Sequence, residues 1–104
     1  MIVTDSTGTE WLIAWDEPAG YPTDWHRHNA AEAVRWSPAT LLAAAARDDQ
    51  AIADLSRQIA ALPDLRDAVC LDGIRARAAM YRAMAATRPR QLSASQPMLF
   101  GDAA

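Results

Sequence analysis

Residues 37–63 read SPATLLAAAARDDQAIADLSRQIAALP, and the fold turns on how that stretch is understood. Ser37 supplies an N-cap hydroxyl, and Pro38 has the fixed φ and missing N–H suited to a first helical turn. Nothing between Ala39 and Leu62 is glycine or proline. Leu41, Ala45, Asp48, Ile52, Leu55, Ile59 and Leu62 follow alternating spacings of four and three, a heptad stripe interrupted by Asp48. Two readings follow. One long helix runs from 38 to 62, or the helix breaks near Arg47 and Asp48 caps a second one. The second is preferred, because it gives Asp48 an N-cap role and puts Asp49 at the positive end of a helix dipole.

Pro63 closes the stretch, and a last helix is expected from Asp64 to about Ala86, stopped by Thr87-Arg88-Pro89. Leu65, Val69, Ala76, Met80 and Met84 form its apolar stripe, with Cys70, Ile74 and Tyr81 beside it. Gly73 allows a bend or a close helix approach. Arg66, Arg75, Arg77 and Arg82 are read as the outer, solvated face, with Asp67 and Asp72 as local partners. The short connection at Pro63 makes the two helices an antiparallel hairpin.

Upstream, Ile2-Val3-Thr4 and residues 10–15 are β-prone and flank the turn-forming Asp5-Ser6-Thr7-Gly8-Thr9. Alternation puts Trp11, Ile13 and Trp15 on one face of this short hairpin, which must pack on helices because two strands alone are marginal. Residues 16–24, with two prolines and a glycine, read as an irregular connection, and a short helix is expected around 30–35. The fold class expected is therefore mainly α, with a short N-terminal β-hairpin, an antiparallel helical hairpin or bundle, and a flexible C-terminal tail. Residues 1–86 form the domain and 87–104 the tail.

Composition narrows the functional classes. The chain has 104 residues, enough for one modest domain, and much of its 51% apolar content is alanine, which buries little area. The ten basic residues are all arginine and the net charge is −3, with signs mixed along the chain. A basic face for phosphate neutralisation is missing, so direct nucleic-acid binding is not expected. A single cysteine, Cys70, excludes an intrachain disulfide and fits a reducing compartment as a buried, inert thiol. There is no signal-peptide pattern and no apolar run of membrane-spanning length, so a cytoplasmic, soluble protein is expected. His26 and His28 are read as loop histidines, since no further ligands stand at metal-site spacing. No nucleophile–base pattern is legible, so neither an enzyme nor a cofactor is expected.

The tail carries the one specific signal. After the polar run 87–95 comes Gln96-Pro97-Met98-Leu99-Phe100, two large apolar groups side by side four residues from the C-terminus. Adjacent exposed apolar side chains point to a partner with a pocket. The pentapeptide resembles the bacterial sliding-clamp-binding peptide, Gln-Leu-Ser/Asp-Leu-Phe, by which polymerases and mismatch-repair proteins dock on the ring-shaped clamp. Gln96 matches the glutamine, Leu99 the second leucine and Phe100 the phenylalanine, and Met98 falls at a tolerant position. Pro97 replaces the usual leucine, losing an apolar contact while favouring an extended peptide.

The resemblance implies that Leu99 and Phe100 fill an apolar pocket and Gln96 bonds at its edge. It implies a non-enzymatic accessory or inhibitory protein acting in DNA replication or repair. Arginine-only basic usage with abundant alanine fits a GC-rich bacterial or phage genome. The nine residues 87–95 would give the peptide about 30 Å of reach if extended. The rival expectation is a helical interaction module: a dimeric antitoxin, inhibitor or assembly subunit. In it the heptad stripe and tryptophans form the interface, homo-oligomers included, and the tail packs back as a latch. A small enzyme or metal protein using His26 and His28 is the third and least favoured.

Overall fold

The computed structural model describes residues 1–15, 23–61 and 71–93. Within them the chain is mainly helical with an antiparallel sheet. Its elements are β1 (Ile2–Thr4), β2 (Glu10–Leu12), α1 (Asp24–Ala33), α2 (Pro38–Ala61), α3 (Leu71–Ala86) and β3 (Arg90–Ser93). Of the irregular connection expected over 16–24, residues 16–22 lie outside the described residues and Asp24 instead opens α1; Leu62, Pro63, Asp64, Leu65, Arg66, Asp67, Val69 and Cys70 also lie outside them. None of the described helices is long and apolar enough to cross a membrane.

The β1–β2 turn is organised by one carboxylate. Asp5 Oδ1 accepts from the Thr7 N–H at 2.9 Å, the Thr7 hydroxyl at 2.6 Å and the Thr9 N–H at 3.1 Å. Gly8 sits at φ 85°, the left-handed region where a Cβ is disfavoured. The hairpin register pairs Ile2 with Leu12, Val3 with Trp11 and Thr4 with Glu10. Met1 extends the pairing: its carbonyl accepts from the Ile13 N–H at 2.8 Å, and its amine donates to the Ile13 carbonyl at 3.0 Å. Val3 and Ile13 are buried, while Trp11 and Trp15 are partly buried against the same core.

The sheet has a third strand that the sequence reading placed in the polar linker. β3 lies antiparallel to β2, pairing Arg90 with Leu12, Gln91 with Trp11 and Ser93 with Glu10, with a bulge between Glu10 and Trp11. The strand order is β1-β2-β3, so β2 is central. A two-stranded ribbon gains most from a third strand, and this one comes from the far end of the chain. The folded part therefore continues past 86 to Ser93, a correction to the flexible tail expected from 87.

α1 begins earlier than the helix expected at 30–35. Thr23 is its N-cap, and the third helical position, His26, reaches back to the Thr23 N–H at 3.3 Å. This is capping-box geometry with imidazole in place of a carboxylate or amide. α2 starts as expected, with the Ser37 hydroxyl oxygen accepting from the Thr40 N–H at 3.1 Å. It then runs unbroken to Ala61, so the preferred two-helix reading gives way to the single helix. Asp48 is no cap: it is buried and faces α3. α2 and α3 pack antiparallel, since Arg88, past the end of α3, donates to the carbonyl of Trp36, just before α2, at 2.8 Å.

Alanines let these elements approach closely. Ala30, Ala33, Ala44, Ala45, Ala76 and Ala78 are all buried, and the bulk between them comes from Ile13, Leu41, Met80 and Met84.

Candidate functional site

Gln96, Met98, Leu99 and Phe100 lie outside the described residues. What the structure shows is their root. β3 ends at Ser93, three positions before Gln96 in the sequence. The run 87–95, expected as a free linker, therefore contributes residues 90–93 to the sheet. Two large exposed aliphatic side chains belong to the sheet. Ile2 is 55% exposed and Leu92, at the bulged strand, 40%. Ile2, Leu12 and Arg90 share one cross-strand row, opposite the face on which Val3 and Trp11 meet the core.

A second arrangement lies where α1, α2 and α3 meet. Arg77 Nε donates to Asp48 Oδ2 at 2.9 Å and Nη2 to Oδ1 at 2.6 Å, a two-pronged pair between α3 and α2. Its Nη1 donates to Asn29 Oδ1 at 3.1 Å, the Tyr81 hydroxyl donates to that same oxygen at 3.3 Å, and Asn29 Nδ2 donates to the Trp25 carbonyl at 2.7 Å. The guanidinium lies 4.4 Å from the centre of the Trp25 ring and 5.8 Å from that of Tyr81. Bonding to Asp48 raises the Arg77 pKa further above its ordinary value, and burial pushes the Tyr81 phenol up. The polar groups of this cluster bond one another and so fasten three helices together. It corrects the reading of Arg77 as part of an outer face. Two signals pointed to it: Asp48 interrupts an apolar stripe, and Arg77 precedes Tyr81 and Met84 by four and seven positions.

The histidines are helical, not in a loop. His26 is buried, with Nε2 at 2.8 Å from the Gly73 carbonyl oxygen of α3 and Nδ1 at 2.8 Å from the Thr23 hydroxyl. A carbonyl only accepts, so Nε2 carries a proton and Nδ1 receives the Thr23 donors. His28 is exposed and sits 3.7 Å from Glu32, one turn on. The two rings thus leave α1 in different directions, and among the described residues no group of three metal-ligating side chains converges.

A cleft of about 700 Å³ opens between the β1–β2 turn and the end of α1, lined in part by Thr7, His28, Glu32, Arg35 and Trp36. Asp5 borders it but is committed elsewhere. Besides the turn donors, its Oδ2 accepts from Trp11 Nε1 at 2.9 Å and from Arg35 at 3.2 Å. Hydrogen bonds from Thr7 and Trp11, in that order, hold its carboxyl far below the usual range. Arg35 also lies 5.1 Å from the centre of the Trp11 ring. A carboxylate held ionised by so many donors is a poor proton acceptor, so the cleft carries no base for acid–base chemistry at this position. Arg82–Asp49, Arg57–Asp54 and Arg75–Asp72 are exposed pairs on the helical surface.

Comparison with family models, with curated proteins and with solved structures finds no match to the chain.

Proposed function

We propose that this chain is a small non-enzymatic protein that docks on a bacterial DNA sliding clamp through Gln96, Met98, Leu99 and Phe100. The observation carrying the reading is the peptide itself: a glutamine followed at the third and fourth positions by Leu-Phe, near the chain's end. Two anchors and one hydrogen-bonding amide suit micromolar affinity, about −8 kcal/mol. Docking would recruit the helical domain to replicating or repaired DNA, or obstruct other clamp users.

The test is direct binding to purified clamp. Wild type is expected to bind in the micromolar range, and the triple variant Gln96→Ala/Leu99→Ala/Phe100→Ala to lose binding. Equal binding by both, or by neither, would end the proposal.

The helical interaction module stays as a second reading, favoured by β3, which already ties part of the tail region to the domain. In that reading Leu99 and Phe100 pack on the chain's own surface. A chain ending at Ser95 separates the two. Clamp docking expects it to melt like the full chain, and a latch expects it to melt lower.

A further inference from the structure

We infer that the outer edge of β1 and the cleft it runs into form a docking groove for an extended peptide that carries a basic side chain. This site is separate from the tail and does not depend on clamp docking.

Hydrogen-bond parity opens the edge. Met1 and Ile13 exchange both backbone bonds, at 2.8 and 3.0 Å, and the Asp5 N–H donates to the Thr9 carbonyl at 3.0 Å. In an antiparallel ladder such pairs alternate with pairs that exchange none. Val3 therefore turns its N–H and C=O toward Trp11, while Ile2 and Thr4 turn theirs away from β2. β1 is an outer strand of the sheet, and no partner for these outward groups is found among the described residues. Ile2 and Thr4 are both exposed. Edge strands are normally blunted by lysine, proline or a bulge. Ile2-Val3-Thr4 has none of these, and all three residues are β-branched, which suits a pleated pairing surface.

The cleft selects the occupant. Past Thr4 the edge enters the cleft of about 700 Å³, whose far wall is His28, Ala31, Glu32 and Arg35 of the α1 side. An antiparallel strand added to β1 pairs with Thr4 and Ile2 and leaves its first residues in this cleft. Arg35 lies 3.2 Å from Asp5, so those two charges offset each other. Glu32 has no arginine beside it among the described residues; its neighbour is the exposed His28, at 3.7 Å. The wall is left with one carboxylate, mostly exposed, for a lysine or arginine of the peptide to meet. A second copy of β1 fits less well, because two three-residue edges cover far less than the roughly 800 Å² per partner of a stable interface.

The experiment titrates the isotope-labelled full chain with the capped peptide Ser-Arg-Val-Thr-Val. Binding is expected to shift the Ile2 and Thr4 amide resonances and to slow their hydrogen exchange. Glutamate in place of the peptide's arginine should weaken binding about fivefold, since an exposed attraction becomes a repulsion. Glu32→Lys should reverse that order, with an unchanged melting temperature because the side chain is exposed. Methylating alternate peptide nitrogens should abolish binding in one phase and spare it in the other, which tests the strand pairing with no change to the protein. Resonances of Ile2 and Thr4 that stay fixed at millimolar peptide, or equal affinity for the arginine and glutamate peptides, overturn the groove. Protection of those amides by raised protein concentration alone gives the edge to a second copy and overturns the peptide. The Gln96→Ala/Leu99→Ala/Phe100→Ala variant should bind this peptide as the wild type does, whatever it does with the clamp; a loss there overturns the groove and leaves the tail reading to its own test.

Discussion

Asp48 shows how one side chain can be read in two ways. In the sequence it interrupts an apolar stripe, and a polar residue there suggests a helix break. In the fold it is buried and matched by Arg77 from α3. Removing one member of such a pair leaves an uncompensated charge. Asp48→Ala should therefore cost about 3 kcal/mol in urea denaturation, and Arg77→Ala a comparable amount. The double variant Asp48→Leu/Arg77→Met should recover most of that loss, because apolar groups of similar size replace the buried pair without stranding a charge. Asp5 makes a separate prediction. Its carboxyl is more acidic in the fold than in the unfolded chain, where it titrates near pH 4. Its contribution is thus fully present above that pH and is withdrawn as the pH drops below it. Melting temperature should fall on acidification from pH 4 toward 2. Asp5→Asn should melt lower at pH 7 and show a flatter fall over the same range.

At the level of elements, the signals that were legible are local ones. The Ser37-Pro38 start, the stop at Thr87 and the β1–β2 hairpin with Gly8 in its turn all follow from a few neighbouring residues. The start of α1 was missed because its cap uses His26 where a glutamate or glutamine is the familiar sign. β3 was missed for a different reason. Arg90-Gln91-Leu92-Ser93 has no apolar alternation, and its strand conformation depends on β2, far away in sequence. The continuity of α2 is testable at Arg47, which is exposed in mid-helix. Arg47→Gly should be about 1 kcal/mol less stable than Arg47→Ala by chemical denaturation, the cost of glycine inside a helix. A break at that point would make the two equal.

For the whole molecule, the sequence reading recovered the class: mainly helical, a small N-terminal hairpin, helices paired antiparallel. In the long-range polar junction of Asn29, Asp48, Arg77 and Tyr81, Asp48 and Arg77 each carried a signal but their pairing was illegible, because the junction gathers residues from three helices and spacing within one helix cannot reveal its partners on another. The candidate site divides the same way. The peptide 96–100 rests on a resemblance in the sequence alone, whereas the cross-strand row of Ile2, Leu12 and Arg90 needed a fold to assemble it. The division of labour at the C-terminus can be measured by truncation. A chain ending at Thr87 loses β3 and should melt at least about 5 °C below the full chain, the change expected for about 1 kcal/mol in a domain of this size. Compared with the chain ending at Ser95, that drop isolates the strand from the peptide beyond it.

The central place of β2 has a consequence for how the protein comes into being. Chains emerge from the ribosome N-terminus first, and Leu12 must wait for Arg90 before its strand has neighbours on both sides. The sheet is completed only once the chain has been made as far as Ser93. A product cut short before Arg90 would lack the third strand together with residues 96–100, leaving a frayed hairpin for proteases to find.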